Sequence, residues 1–461
     1  MVDHDAVRAF LCALFVTTMI AAAGRVPVAG GASQSRPTFA EHVSPILRAH
    51  CAPCHRPGRA APFELLTYAD AHAQGAAIVR MVESGHMPPA QASQGIGLPP
   101  LRDALHLDAR QIATLRNWVA TNMRPGDLRR VPPPPDYPMR WPLGVPDITV
   151  TLPRPLALPP SADARVLNVV IGLAAAEDRW IHAIDFNPSS SGVITQVIFF
   201  SAPASHVIDD SDLLPGVPGL FSSDRLDSPG ERLLAADRAL LPISVWTQGG
   251  LTRVMPAGTG QRLPRWTNLV MQLHTRPSVS GAMEDGQVAI YLTPGPPSIE
   301  LRPLQVPPSF GVAARLSIPA GEPAYVLRDW FTLPVDVDAY AARGHAHERG
   351  RSLQLSAILP GGTARPLLQL DRWDPRWQDT YFFAAPIRLP KGTRVQTEIV
   401  YDNSPSNPRL AGLPPRRVMW GPTLASEVGS MTLVVSVRRP EDVEALEAAR
   451  ATHFKAQVIG K

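Results

Sequence analysis

The chain has 461 residues, 45% of them hydrophobic and 18% charged, with a formal net charge of +4. That length exceeds one ordinary core and calls for two to four domains. The small, scattered positive charge, with no basic stripe interleaved by aromatics, argues against nucleic acid as a partner. Proline, at 51 residues, disfavours long helices and favours loops and edge-rich β structure.

In chain order, residues 1–30 read as an export signal. Ala9 to Ala23 is an uncharged apolar run preceded by Arg8 and ending in Ala21, Ala22, Ala23 and Gly24. Asp3 and Asp5 dilute the positive flank and the run is short for a membrane span, so an uncleaved anchor or a buried helix stands beside that reading. Cys12 lies in this segment, and its removal leaves Cys51 and Cys54 as the cysteines of a periplasmic or secreted chain with no stable membrane span.

Residues 36–127 read as helical. Phe39, Val43, Ile46 and Leu47 recur at helical spacing, Ala71 to Val82 is a second periodic run, and Asp108 caps a third bearing Ile112, Leu115, Trp118 and Val119 on one face. Within this block lies Cys51-Ala52-Pro53-Cys54-His55. C-x-x-C-H is the attachment pattern of a c-type haem: the thiols add to the vinyl groups and the histidine supplies an imidazole to the iron. A zinc half-site lacks a second cysteine pair, and a redox dithiol lacks its βαβ setting.

His55 is then the proximal ligand. Met87, in Gly85-His86-Met87-Pro88-Pro89, is the choice for the sixth, because a thioether raises the potential and the prolines stiffen its loop. Met81, His72, His86 and His106 compete for that place, and simple core packing is the plain alternative for Met87. A few helices around a haem make an all-α cytochrome c domain over 36–127.

Residues 128–146, with Val131-Pro132-Pro133-Pro134-Pro135, read as a stiff linker. Beyond them come short apolar runs divided by Pro, Gly, Asn and Asp. Among them are Val193 to Phe200, Leu269 to His274, Val288 to Leu292, Arg394 to Tyr401 and Met431 to Val437. This pattern predicts two all-β sandwich (jelly-roll) domains at 147–297 and 298–438, with the break near Pro294 to Pro308. Residues 439–461 read as a short terminal helix.

In Gly344-His345-Ala346-His347-Glu348-Arg349-Gly350 a strand would present both imidazoles on one face, close enough to chelate one ion. Taken alone, two surface histidines is the simpler reading. The stretch is followed by Arg372-Trp373-Asp374 with Trp377, then Leu389-Pro390-Lys391-Gly392-Thr393, then Tyr401-Asp402-Asn403-Ser404-Pro405-Ser406-Asn407-Pro408. These motifs resemble the copper type II, ascorbate-dependent monooxygenases, the family of peptidylglycine α-hydroxylating and dopamine β-monooxygenases. Ala61-Pro62-Phe63, Leu65-Leu66-Thr67-Tyr68 and Met87-Pro88-Pro89 resemble bacterial versions fused to an N-terminal cytochrome c.

The resemblance implies a substrate-side copper on His345, His347 and a methionine after Trp420-Gly421. Met431 matches best, with Val428 as the other occupant of that place. It also implies a second, electron-transfer copper. There Gln272-Leu273-His274 matches the third-histidine motif, but Thr195 and Gln196 stand where a histidine pair belongs and His206 lies off the strand. His274 therefore reads as the remnant of a vestigial site, facing His345, His347 and Met431 across a cleft.

Three functions follow from this. The preferred one is an oxidoreductase in which haem feeds a single copper for O2-dependent hydroxylation or oxidation of a small organic substrate, with an unknown electron donor. The others are a non-catalytic electron-transfer protein with a degenerate module, and a periplasmic copper carrier. No Ser-His-Asp constellation and no phosphate-cradling glycine loop is discernible.

Overall fold

The structure, a computed structural model, describes residues 36–57, 61–89, 92–102, 105–134, 140–152, 155–158, 160, 165–173, 175–189, 192–203, 220–222, 241–314, 316–421 and 425–459. The expected signal, Cys12, His206 and part of the proline linker lie outside them.

Three helices open the described chain: α1 (Ser44–His50), α2 (Tyr68–Glu83) and α3 (Ala109–Ala120). Both longer ones start in capping boxes. Thr67 Oγ1 accepts from Asp70 N at 3.2 Å while Asp70 accepts from Thr67 N at 2.8 Å, and Asp108 with Gln111 repeats the exchange. Phe39, Val43, Leu47, Leu115 and Trp118 form the small core between them.

The first sandwich contains β1 (Ile148–Thr151), β2 (Leu156–Leu158), β3 (Arg165–Gly172), β4 (Arg179–Asn187), β5 (Ile194–Pro203) and β6 (Leu220–Ser222). It continues with β7 (Leu241–Thr247), β8 (Thr259–Leu263), β9 (Thr267–Thr275), β10 (Ala282–Glu284) and β11 (Gln287–Leu292). The second contains β12 (Ile299–Val306), β13 (Ser317–Ile318), β14 (Tyr325–Thr332), β15 (Val337–Ala346) and β16 (Gly350–Ile358). After these come β17 (Ala364–Leu370), β18 (Tyr381–Leu389), β19 (Arg394–Tyr401), β20 (Val418–Met419) and β21 (Gly429–Val437). Helix α4 (Asp442–Ile459) closes the chain. Among the described residues no helix is long and apolar enough to cross a membrane.

One eight-stranded sheet, in the order β1-β11-β4-β8-β12-β21-β15-β18, runs through both sandwiches. The join is the parallel pair β8–β12, Ile299 opposite Thr259 to Leu301 opposite Gln261. Its first half is covered by the sheet β6-β3-β9-β5-β7 and its second by β14-β19-β16-β17. Along β9, Leu269, Met271 and Leu273 point into the first core. Val270 and His274 point out, yet they too are buried, because the outer face of this sheet packs on the second sandwich through Phe200 and Phe310, whose rings lie 5.9 Å apart.

The expected all-α cytochrome c domain ahead of the sandwiches is not what the chain builds. Strands hold 39% of the described residues and helices 18%. Helices α1 to α3 enclose only a small core, and no all-α cytochrome c domain is evident among the described residues. Between α2 and α3 the chain leaves helical geometry and runs along the second sandwich: Ser93 N donates to Gln369 O at 2.8 Å, Arg102 N to Phe382 O at 2.7 Å, and Ala384 N to Pro100 O at 2.8 Å. The reason is twofold. Pro88, Pro89, Pro99 and Pro100 oppose helix, and β17 and β18 are sheet edges whose open backbone groups take an extended partner. The segment between α2 and α3 thus ties the helices to a predominantly β body.

Candidate metal centres

The C-x-x-C-H motif follows α1 in a tight turn. Cys54 N and His55 N both donate to Cys51 O, at 3.1 and 2.8 Å, which brings residues 51, 54 and 55 to one side of that turn. His55 is buried, and its Nδ1 lies 3.0 Å from Phe63 O. A carbonyl can only accept, so Nδ1 carries the proton and Nε2 the lone pair, the tautomer a proximal iron ligand needs. Burial, with Cys54 as a smaller contributor, pushes the Cys51 thiol up to about 12, so it is a neutral thiol. These residues fit a covalently attached haem: two thiols and one correctly protonated imidazole on a short arc.

Met87 lies on the turn after α2, 38% exposed, with its N–H on Met81 O. Its sulfur is therefore not committed to core packing. Of its competitors, His72 lies tilted against Tyr68 with ring centres 5.4 Å apart, and His86 Nδ1 is 2.8 Å from Ser84 Oγ. The turn is tied to the second sandwich, where Arg372 donates to Ser84 O at 2.9 Å and Gly85 O at 3.0 Å.

The second centre forms at the seam between the sandwiches. His345, near the end of β15, and His347, just beyond it, have ring centres 5.7 Å apart. The i, i+2 spacing places both on one face, as strand geometry requires. His345 Nδ1 is 2.7 Å from Gln378 Oε1, and His347 Nδ1 is 3.1 Å from Ser426 O, so in each ring Nε2 bears the lone pair. His347 N and Arg349 N donate to the buried Glu427 carboxylate at 3.1 and 3.3 Å. Burial raises Glu427 to about 8 even though those two donors pull the other way. Burial first, then the neighbouring His347, takes His345 down to about 3.

The quoted motifs beyond the histidines serve this loop. Arg349 Nε donates to Asn403 Oδ1 at 2.9 Å, Asn403 Nδ2 to Pro319 O at 2.7 Å, and Tyr401 OH to Val428 O at 2.9 Å. Trp373 Nε1 donates to Ala346 O, between the two histidines.

Met431 is not brought to the pair. On β21 it sits opposite Gly344, whereas His345 sits opposite Ser430. Adjacent residues of a strand point to opposite faces, so the Met431 sulfur lies in the interior of the second sandwich. A Cβ placed on Gly344 would meet it at 3.1 Å. Val428 is buried and offers no side-chain donor.

The expected cleft between His274 and the pair is closed. The His274 ring centre is 6.2 Å from His345 and 6.2 Å from His347. Gln196 is its direct neighbour on β5, and Thr195 Oγ1 donates to His274 O at 3.1 Å. Burial, then the two neighbouring imidazoles, holds His274 well below the usual histidine range.

Gln378 joins the two sides. Its Nε2 donates to Gln196 Oε1 at 3.3 Å, and Thr247 Oγ1 donates to its carbonyl at 3.3 Å. No sequence motif marks Gln378, which directly follows Trp377. Nor does one mark Arg343, two residues before His345 and so on the same face, which lines the adjoining cavity with Phe310, Gln305 and Thr432. Burial brings this guanidinium down to about 10, and it donates to Ile243 O at 3.3 Å.

No family model matches the chain, and no curated protein matches it. Low-scoring likenesses to solved structures exist. One is a peptide-N(4)-(N-acetyl-β-D-glucosaminyl) asparagine amidase (10% identity, TM-score 0.31, 64% of this chain and 97% of that one). Others are PNGF-II (9%, 0.27, 63% and 65%) and the major capsid protein P2 of bacteriophage PM2 (10%, 0.23, 64% and 98%). Scores this low carry no argument about function.

Proposed function

We propose that the chain is an exported oxidoreductase in which electrons enter at a haem tethered through Cys51 and Cys54 and reach O2 at copper held by His345 and His347. A small organic substrate is hydroxylated or oxidised there. The cofactors supply one-electron transfer and oxygen activation; the protein supplies their placement and the path between them. Inserting one oxygen atom from O2 into a C–H bond and releasing the other as water takes two added electrons and two protons, so an external donor must act through the haem twice per turnover.

The observation that carries this reading is a short route from the haem motif to a histidine of the pair. Cys54 Sγ lies 3.1 Å from Gly249 O. Two residues back, Thr247 Oγ1 is bonded to Gln378 O, and the Gln378 side chain holds His345 Nδ1. Thioether formation removes the sulfur's proton and leaves the sulfur beside the same loop. A second route runs from the Met87 turn through Arg372 and Trp373 to Ala346 O. The buried Arg343 beside His345 suits a substrate that carries a carboxylate, since a buried cation gains from an anionic partner.

The test is to express the chain with haem-maturation machinery, load copper, reduce the haem and mix with O2. Haem reoxidation that His345→Ala abolishes supports the reading. Unaltered haem spectra without copper uptake indicate a degenerate module, and copper uptake without substrate-dependent oxygen consumption indicates a carrier; either result ends it.

A further inference from the structure

We propose that His274 is a ligand of the same metal ion as His345 and His347, so that one three-imidazole centre straddles both sandwiches. This deepens the copper reading above and rests on it only for the choice of metal. The residue taken for the remnant of a lost site becomes the third donor, in place of a thioether.

Four observations converge. The three rings are mutual neighbours, with centres 5.7, 6.2 and 6.2 Å apart, and all are buried, between 2% and 8% exposed. Their outer nitrogens are already engaged. His345 and His347 use Nδ1 on Gln378 and Ser426, and His274 Nε2 lies 3.4 Å from Gln272 Oε1, which assigns His274 Nδ1 as its donor atom.

The only methionine the motif pointed to is on the far face of β21, so the cluster has no sulfur donor from that strand. Finally, the Nε2 of Gln196, a residue 4% exposed and paired with His274 across the strands, is buried without a hydrogen-bond partner. An unanswered buried donor calls for an acceptor, and a water or small anion in the fourth position of the ion is one.

The spacing decides how the site must work. With metal–nitrogen bonds of about 2.0 Å and tetrahedral angles, ring centres on one ion stand about 5 Å apart. The observed spacings are wider by about an ångström, and among the described residues no set of three His, Cys, Asp or Glu side chains is placed to hold an ion as it stands. Binding therefore has to draw His274 and the pair together across the seam, and the ion becomes a clamp between sandwiches. Three neutral imidazoles without thiolate or carboxylate suit copper or zinc.

The experiment loads the full haem-bearing chain separately with copper and with zinc. X-ray absorption on the wild type should show three imidazoles and no sulfur at about 2.3 Å, and the thermal midpoint should rise on loading. His274→Ala should lower affinity about 100-fold, as should His345→Ala, while Met431→Leu leaves it within about threefold. His274→Asn, which keeps a polar side chain, should behave as His274→Ala and guards against misfolding.

A sulfur in the wild-type spectrum, or full affinity in both His274 variants, overturns the three-imidazole centre and leaves the copper pair standing. A three-imidazole site that binds zinc or copper but never reoxidises haem keeps the centre and removes the oxidoreductase reading. Failure to bind either metal overturns both.

Discussion

The two sandwiches share a plan, four strands of a common sheet closed by a separate one, yet they present their imidazoles differently. In the second, the loop after β15 is fixed from several directions: Glu427 takes the His347 and Arg349 amides, Asn403 holds Arg349, and Gln378 and Ser426 hold the rings. In the first, His274 is part of a regular strand, and its ring is steered by one long contact to Gln272. Strand geometry alone gives a side chain its face; buried acceptors on neighbouring loops give it a direction and a tautomer. The firm half of the site is the half that acquired such loops.

Changes on either half should break this contrast or sharpen it. The largest effect belongs to the firm side. His345→Ala should slow haem reoxidation by O2 by 100-fold or more, read by stopped-flow absorbance, about 3 kcal/mol in transition-state terms.

Next is the seam itself. Arg253 of the first sandwich forms a nearly buried two-pronged pair with Asp379 of the second, with Nε to Oδ1 at 2.7 Å. Asp379→Asn takes the charged partner from a nearly buried guanidinium, which should cost about 2 kcal/mol in urea unfolding. Gln378→Ala strips His345 of its outer partner and makes the firm side resemble the loose one; metal affinity should fall about 10- to 100-fold in chelator competition. The smallest effect is expected on the loose side, where the 3.4 Å contact is weak: Gln272→Leu should change affinity by about threefold at most. Equal losses in the last two variants would erase the distinction between the halves.

How far the sequence reveals all this depends on which interactions carry each feature. The short apolar runs fall on β5, β9 and β11, because strands buried on both faces read as nearly continuous apolar segments bounded by turn residues. The H-x-H spacing announces two rings on one face because side chains alternate along a strand. Register across strands has no such mark. Whether Met431 or Ser430 stands beside His345 is set by one residue of offset between β15 and β21, and it reverses the side to which the sulfur points.

The docking of residues 92–102 on β17 and β18 is equally silent, since it is made by backbone groups that every residue possesses. That silence is why helical periodicity in α1 to α3 suggests a separate all-α domain, which the chain does not build. The meeting of His274 with the pair depends on packing between two sheets far apart in sequence, although a lone histidine kept among Val and Leu on β9 is a hint in retrospect.

The parallel pairing of β8 with β12 has a mechanical consequence. Two lobes joined by these ladder hydrogen bonds can draw together at the seam by about an ångström but have no hinge about which to swing wide open. Whatever reaches the histidine cluster must therefore be small enough to pass beside Phe310, held at a backbone φ of +54°, or must present only its reactive end. Selection of a guest then falls to the width and polarity of a narrow entrance.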